Sequence, residues 1–129
     1  MLLVKAWVGV SKIHGFGLIA HEFIPRGTIV WRLVPGFDVV LTDEELLRLP
    51  TPIQEHVLYY GFFDSTLKKH ILCADDDRFS NHSDDANTEL YGDYSIAIRD
   101  IHEGEEMTED YKGLGKSIYD YTRPPMVTT

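Results

Sequence analysis

Six short runs rich in β-branched and aromatic residues, at 2–8, 18–23, 28–34, 70–74, 87–91 and 94–99, are each bounded by turn formers, which restricts the chain to a sheet-based fold. Val, Ile, Trp, Tyr and Phe fit a pleated, half-buried surface, whereas the Gly, Pro, Asn and Asp between the runs break it. Gly92-Asp93, between Tyr91 and Tyr94, suits a two-residue hairpin loop, and Pro25-Arg26-Gly27 suits a tight turn, so antiparallel pairing is expected. The middle departs from this pattern. Thr42-Asp43-Glu44-Glu45 offers a Thr cap with Glu three residues on, ahead of Leu46, Leu47 and Leu49. Thr51-Pro52-Ile53-Gln54 repeats the signal, with Pro at the first helical position, Gln placed to close a second capping box, and Ile53, Val57 and Tyr60 on one face. The expected fold class is mainly β, an α+β chain with few short helices.

At 129 residues, 43% of them hydrophobic, the chain has the material for one core. No repeat, low-complexity tract or linker divides it, so a single domain is expected over 1–121, with 122–129 a flexible tail. The segment from Met1 to Val8 lacks the sustained apolar run of a signal peptide or spanning helix, and no membrane association is expected. A lone Cys73 makes neither an intramolecular disulfide nor a cysteine zinc cluster, which favours a reducing, intracellular setting. The net charge of -9 is uneven: residues 1–74 carry 7 acids and 7 bases, while residues 75–111 carry 13 acids and 2 bases. Such a block attracts cationic partners and repels a phosphate backbone, which argues against direct nucleic-acid binding.

Three segments carry chemistry. His14-Gly15-Phe16-Gly17 lets the backbone turn closely against a ligand, without the spacing of a dinucleotide fingerprint. The run from Arg78 through Phe79, Ser80, Asn81, His82, Ser83, Asp84, Asp85 and Ala86 to Asn87 is too polar for a core strand. The third segment, Gly104 to Tyr111, runs from a turn into a short strand whose last residue is a phenol able to donate or accept a hydrogen bond. Taken singly, each has a plain reading as a turn, a capped loop or a packed aromatic. His82, Asp84 and Asp85, with Asp75 to Asp77 nearby, also imitate a hard-metal site, but no second His closes the coordination sphere and no metal is expected.

Taken together and in order, these segments resemble the signature of the SET-domain protein lysine methyltransferases. Arg78 to Ser83 agree with the family's Arg-Phe-x-Asn-His-Ser, and Ile101 to Tyr111 agree with Ile-x-x-Gly-Glu-Glu-Leu-Thr-x-Asp-Tyr except at Met107. The likeness reaches from residue 3 to residue 112. It implies a β-clip-like fold of several small sheets with a C-terminal pseudoknot, in which the last piece passes through a loop made by the Asn81-His82 segment. It also implies S-adenosyl-L-methionine as methyl donor, released as S-adenosyl-L-homocysteine. His14, Gly15, Phe16, Gly17, Arg78, Asn81 and His82 are the implied contacts, with the Asn81 amide oxygen accepting from the donor's ammonium. Tyr111 is the implied catalytic residue, and a lysine-containing basic protein or peptide the implied substrate.

Departures from the family pattern bear on the detail. Asp84 stands where many nuclear members carry a zinc-binding Cys, Ala86 where Pro is usual, and Glu109 where Phe or Tyr often shapes the lysine channel. A Glu109 carboxylate there is expected to restrain the lysine ammonium. With no cysteine-rich tail, Tyr119 and Tyr121 join Glu109 as candidate channel walls, and a second copy of the chain is a candidate to complete the channel as a homodimer. Such bare cores resemble bacterial or viral members, with a cytoplasmic location if bacterial. Two other classes stay open: a silent SET-like module that binds S-adenosylmethionine or a basic peptide, and a metal-dependent enzyme using the Asp/His cluster.

Overall fold

The structure is a computed structural model and describes residues 1–111. In chain order the elements are β1 (Ala6–Val10), β2 (Phe16–Ala20), β3 (Ile29–Arg32), β4 (Val39–Leu41), α1 (Asp43–Leu47), α2 (Thr51–Tyr60), β5 (Phe62–Asp64) and β6 (Lys69–Leu72). A 3-10 turn at Asp76–Phe79 follows, then β7 (Asn81–His82), β8 (Thr88–Tyr91), β9 (Tyr94–Ala97) and β10 (Glu106–Glu109). Seven strands form one sheet in the order β1-β2-β10-β8-β9-β3, with β7 alongside β10, and β4-β6-β5 form a second. The mainly β class with few short helices and several sheets is thus the observed one. Among the described residues no helix is long and apolar enough to cross a membrane.

The six strand-like runs each contribute to a sheet, with shifted limits. The first begins at Ala6 rather than residue 2; Leu2 only bridges Trp31. Gly92-Asp93 forms the expected two-residue loop, since Tyr91 opposes Tyr94 in register. The tight turn at Pro25 closes with Thr28 N–H donating to Pro25 O at 3.1 Å. Antiparallel pairing is not universal, because β10 runs parallel to both β7 and β8.

The first helix start is as expected. Thr42 Oγ1 accepts from Glu45 N–H and the Glu45 carboxylate accepts from Thr42 N–H, both at 3.1 Å, satisfying two otherwise orphaned donors. The second start differs. Pro50 caps α2 and no side chain bonds there. The Gln54 amide instead donates to Leu49 O at 2.7 Å and Leu47 O at 3.3 Å, satisfying carbonyls left over where α1 ends. Of the expected apolar face, Val57 is buried while Ile53 is exposed.

The core gathers Leu18 and Ala20 from β2, Val30 and Trp31 from β3, Ala97 from β9 and Met107 from β10, closed by Ile24, Ile71, Cys73 and Ile101. Ile24 and Ile101 exchange main-chain bonds of 2.8 and 2.9 Å, so the core is sealed by backbone as well as by apolar contact. Burying each such large side chain stabilises by about 1.5–3 kcal/mol, and truncating Leu18 to Ala would cost about 2–5 kcal/mol. This core fixes β10 beside β2, and β10 carries the site.

Candidate active site

Strand β10 is held from both sides. Met107 opposes Leu18 on β2, while Thr108 and Glu109 run parallel to Asn81 and His82. The parallel side needs a clamp, and buried Asn87 supplies it: Asn87 Oδ1 accepts from Thr108 N–H at 2.9 Å and Nδ2 donates to Glu106 O at 2.8 Å. Thr88 Oγ1 adds a 2.7 Å bond to Thr108 O. Through these contacts the carboxyl-terminal segment lies against the Asn81-His82 segment, as a pseudoknot requires; any threading beyond Tyr111 lies outside the described residues.

Asn81 is 9% exposed, and its Nδ2 lies among four acceptors: Ser11 Oγ at 3.1 Å, His14 O at 3.0 Å, Phe16 O at 2.9 Å and Glu106 Oε2 at 2.9 Å. A flipped amide would put an oxygen against these oxygens, so the network fixes its orientation. Oδ1 takes no donor among the described residues. The loop is gripped from within, since Ser11 Oγ accepts from Ile13 N–H at 2.9 Å and His14 N–H at 3.1 Å and donates to Glu106 Oε1 at 2.7 Å. Gly15, at φ 50, takes a conformation that a side chain disfavours. At Gly17 the constraint is space: a Cβ there would lie 2.5 Å from Glu106 Oε2 and 3.1 Å from Asn81 Nδ2.

Tyr111 falls beyond β10, which ends at Glu109 rather than at the tyrosine. Its N–H leaves the sheet and donates to His82 Nδ1 at 3.0 Å, and its hydroxyl donates to Ser80 O. Because Nδ1 accepts, the neutral imidazole carries its proton on Nε2, which faces Asp84 Oδ1 at 2.9 Å. The phenol and imidazole rings are 5.3 Å apart. His82, Asp84 and Asp110 each offer one ligand atom within 4.8 Å of the others. Both imidazole nitrogens have partners here, Nδ1 the Tyr111 N–H and Nε2 the Asp84 carboxylate. Asp85 pairs instead with Arg99 at 3.1 Å, while Asp75 accepts from Leu2 N–H at 2.7 Å and from Asp77 N–H at 3.2 Å, so the acids that seemed able to join His82 are spread over three places.

Glu109 is half-buried on β10 and accepts from Ser95 Oγ at 3.3 Å. Burial, then the charge of Asp77, pushes its carboxyl up to about 8. Asp77 is itself pushed up to about 6 by burial and then by Asp75, and Cys73 donates to it at 3.5 Å. Burial drives the Cys73 thiol far above its ordinary range, so it is not a nucleophile. Burial thus favours the neutral acid over the carboxylate at Glu109. Beside it opens a cleft of about 360 Å³, lined by Asp84, Asp85, Glu89, Glu109 and Asp110, with Arg99 as its base.

Of the residues singled out in the sequence, Asn81 gathers His14 and Phe16 by hydrogen bonds with Gly17 packed close by, Tyr111 is bonded to His82, the residue adjoining Asn81, and Gly15 shapes the loop. Arg78 sits over the Phe79 ring at 5.2 Å, and Tyr60 packs on Phe79 at 5.7 Å. Tyr119 and Tyr121, like the tail 122–129, lie outside the described residues. Sequence reasoning gave no role to Ser11, Glu106, Asn87 or Thr108. Glu106, Asn87 and Thr108 lay inside quoted motifs, yet their task is visible only once β10 is placed.

A family model described as SET domain matches residues 15–112. No curated protein sequence matches the chain. Among solved structures, a humanized mutant of the Chaetomium thermophilum Polycomb Repressive Complex 2 is similar, with 23% identity and a TM-score of 0.65 over 95% of this chain. The match spans 16% of that longer chain. A candidate histone methyltransferase of Plasmodium falciparum is similar at 20% identity and a TM-score of 0.59, over 92% of this chain and 99% of its own.

Proposed function

The chain belongs to the SET-domain family, and on that premise we propose that it transfers a methyl group from S-adenosylmethionine to the side-chain nitrogen of a lysine in a protein. The observation that carries this reading is the adjacency of Ser80 and Asn81. The Ser80 carbonyl holds the Tyr111 phenol and the Asn81 amide holds the loop around Gly15, so acceptor and donor would meet across one peptide unit. The groups present suit the donor, because Asn81 has its nitrogen turned inward and offers an amide oxygen, the end that accepts from an ammonium.

When bound, S-adenosylmethionine supplies an electrophilic methyl carbon on a positively charged sulfur, which a neutral amine attacks in line with the departing sulfur. The protein's share is alignment and electrostatics. Tyr111 commits its one proton to Ser80, so toward the reacting groups the phenol acts as an acceptor, and that donation enriches the negative charge on its oxygen. Such an oxygen attracts a polarised methyl group through weak C–H···O contacts. The lysine, with a free pKa of about 10.4, must arrive without its proton, and enclosure in a site of low polarity favours the neutral amine. The carboxyl groups around the cleft support a basic protein segment as substrate.

The test is methyl transfer from isotopically labelled S-adenosylmethionine to a lysine-containing basic protein, read by mass spectrometry of the modified residue. Labelled lysine is expected with the native chain, and no labelled lysine with any basic protein or lysate would contradict the reading.

A further inference from the structure

Glu106 joins two halves of the site that are far apart in sequence. One carboxylate oxygen accepts from Ser11 Oγ at 2.7 Å and the other from Asn81 Nδ2 at 2.9 Å. Ser11 in turn takes the N–H groups of Ile13 and His14. The carboxylate is therefore the one ionisable acceptor in a ring that includes the loop, the Asn81 amide and β10. Gly17 leaves room for it, since a Cβ would sit 2.5 Å from Oε2.

The chemistry of this ring sets a polarity. An amide can face its surroundings with either end, and the neighbouring carbonyls of His14 and Phe16 alone already prefer the NH2 end. Adding a carboxylate makes the preference much steeper, because a charged acceptor roughly doubles the strength of the bond and would repel an amide oxygen put in its place. The consequence is felt at the opposite end of the group, where Oδ1 is held outward as an acceptor.

Resting on the donor-binding reading above, we infer that Glu106 is a positioning residue of the donor site: it locks the Asn81 amide with Oδ1 presented to the ammonium of the amino-acid portion of the methyl donor. It acts through Asn81 and does not itself touch the ligand. The role is therefore selective for ligands that carry that ammonium.

The experiment is titration calorimetry on the full chain with two ligands: S-adenosylhomocysteine, which has the ammonium, and 5′-methylthioadenosine, which lacks it. Glu106→Gln is expected to weaken the first at least about tenfold, a loss of about 1.4 kcal/mol, and to leave the second within about twofold. The double variant with Asn81→Ala should bind S-adenosylhomocysteine no worse than Asn81→Ala alone, because both changes remove one interaction. Unchanged affinity in Glu106→Gln, equal losses for both ligands, or additive losses in the double variant would each overturn the assignment. Ser11→Ala, which removes one of the carboxylate's two donors and leaves the core intact, should give a smaller loss with the same selectivity. If Glu106→Gln does not fold, a silent Ser11→Ala overturns the linkage on its own. A native chain that binds neither ligand overturns the donor-site reading itself, and with it this role.

Discussion

The phenol of Tyr111 donates to the main-chain carbonyl of Ser80, the residue that immediately precedes Asn81. The two side chains that matter most are thereby set by neighbouring positions of one short segment, and β10 delivers Tyr111 to it from 31 residues further along the chain. A phenol bound in this way is oriented before any ligand arrives.

Tyr111→Phe keeps the ring beside His82 and removes the oxygen. Methyl transfer should fall by about 100-fold or more, the size seen when a preorganised polar contact to a transition state is deleted, while affinity for S-adenosylhomocysteine stays within about twofold. Single-turnover kinetics paired with calorimetry separates the two quantities. A matching fall in both would place the hydroxyl in donor binding.

Asn87→Ala tests the clamp on the parallel side of β10. It strands the N–H of Thr108 and the carbonyl of Glu106, both of which now bond Asn87 at under 3 Å. Each group left unsatisfied costs about 1–3 kcal/mol, so urea denaturation should show a loss of about 2–6 kcal/mol. A loss below about 1 kcal/mol would show that β10 is held by its other contacts.

Gly17→Ala separates space from flexibility in the donor loop. The new methyl group would meet Glu106 Oε2 at 2.5 Å, so it should displace the carboxylate and cost at least about tenfold in S-adenosylhomocysteine affinity, about 1.4 kcal/mol. Gly9→Ala is the comparison. The atoms nearest its Cβ belong to the side chain of Ile19, with Cγ1 at 2.8 Å, and donor affinity should change by less than about twofold. Equal behaviour of the two variants in the same titration would remove the special role of the space at Gly17.

The pH dependence of stability follows from Glu109. Its folded carboxyl titrates near 8 against an ordinary value of 4.5, so between those values the folded chain keeps a proton that the unfolded chain has lost. Its stabilising contribution is full below about 4.5 and disappears as pH rises through about 8. Asp77 adds the same sign between 3.8 and about 6. Thermal melting should show stability declining from pH 5 to pH 8.5, and Glu109→Gln, which never takes the charge, should decline less. At pH 8.5 the variant should melt at least about 4 °C higher, equivalent to about 1 kcal/mol. A variant that melts lower at pH 8.5 would mean that the carboxylate is stabilised where it sits.

The sheet-rich class, the β8–β9 hairpin and the α1 capping box were legible because each depends on residues close in sequence. The Gly-Asp loop and the Thr42-Glu45 pair need only their immediate neighbours. Parallel pairing of β10 with β7 was not legible, since a contact of two residue pairs leaves no periodicity to read. The site divided in the same way. Asn81 and Tyr111 stood out by motif, whereas the use of Glu106 as a bridge and of Asn87 as a clamp depends on partners 19 to 95 residues away. At α2 a local signal was outvoted: Gln54 found two carbonyls near the end of the preceding helix in place of a second capping box.

The most direct test is a crystal structure of the chain with S-adenosylhomocysteine bound. The ligand's amino nitrogen is expected within hydrogen-bond reach, about 3 Å, of Asn81 Oδ1, with its sulfur on the side toward the Tyr111 hydroxyl. Ligand density elsewhere on the protein, or an Asn81 amide turned with its nitrogen toward the ligand, would contradict the account at its centre.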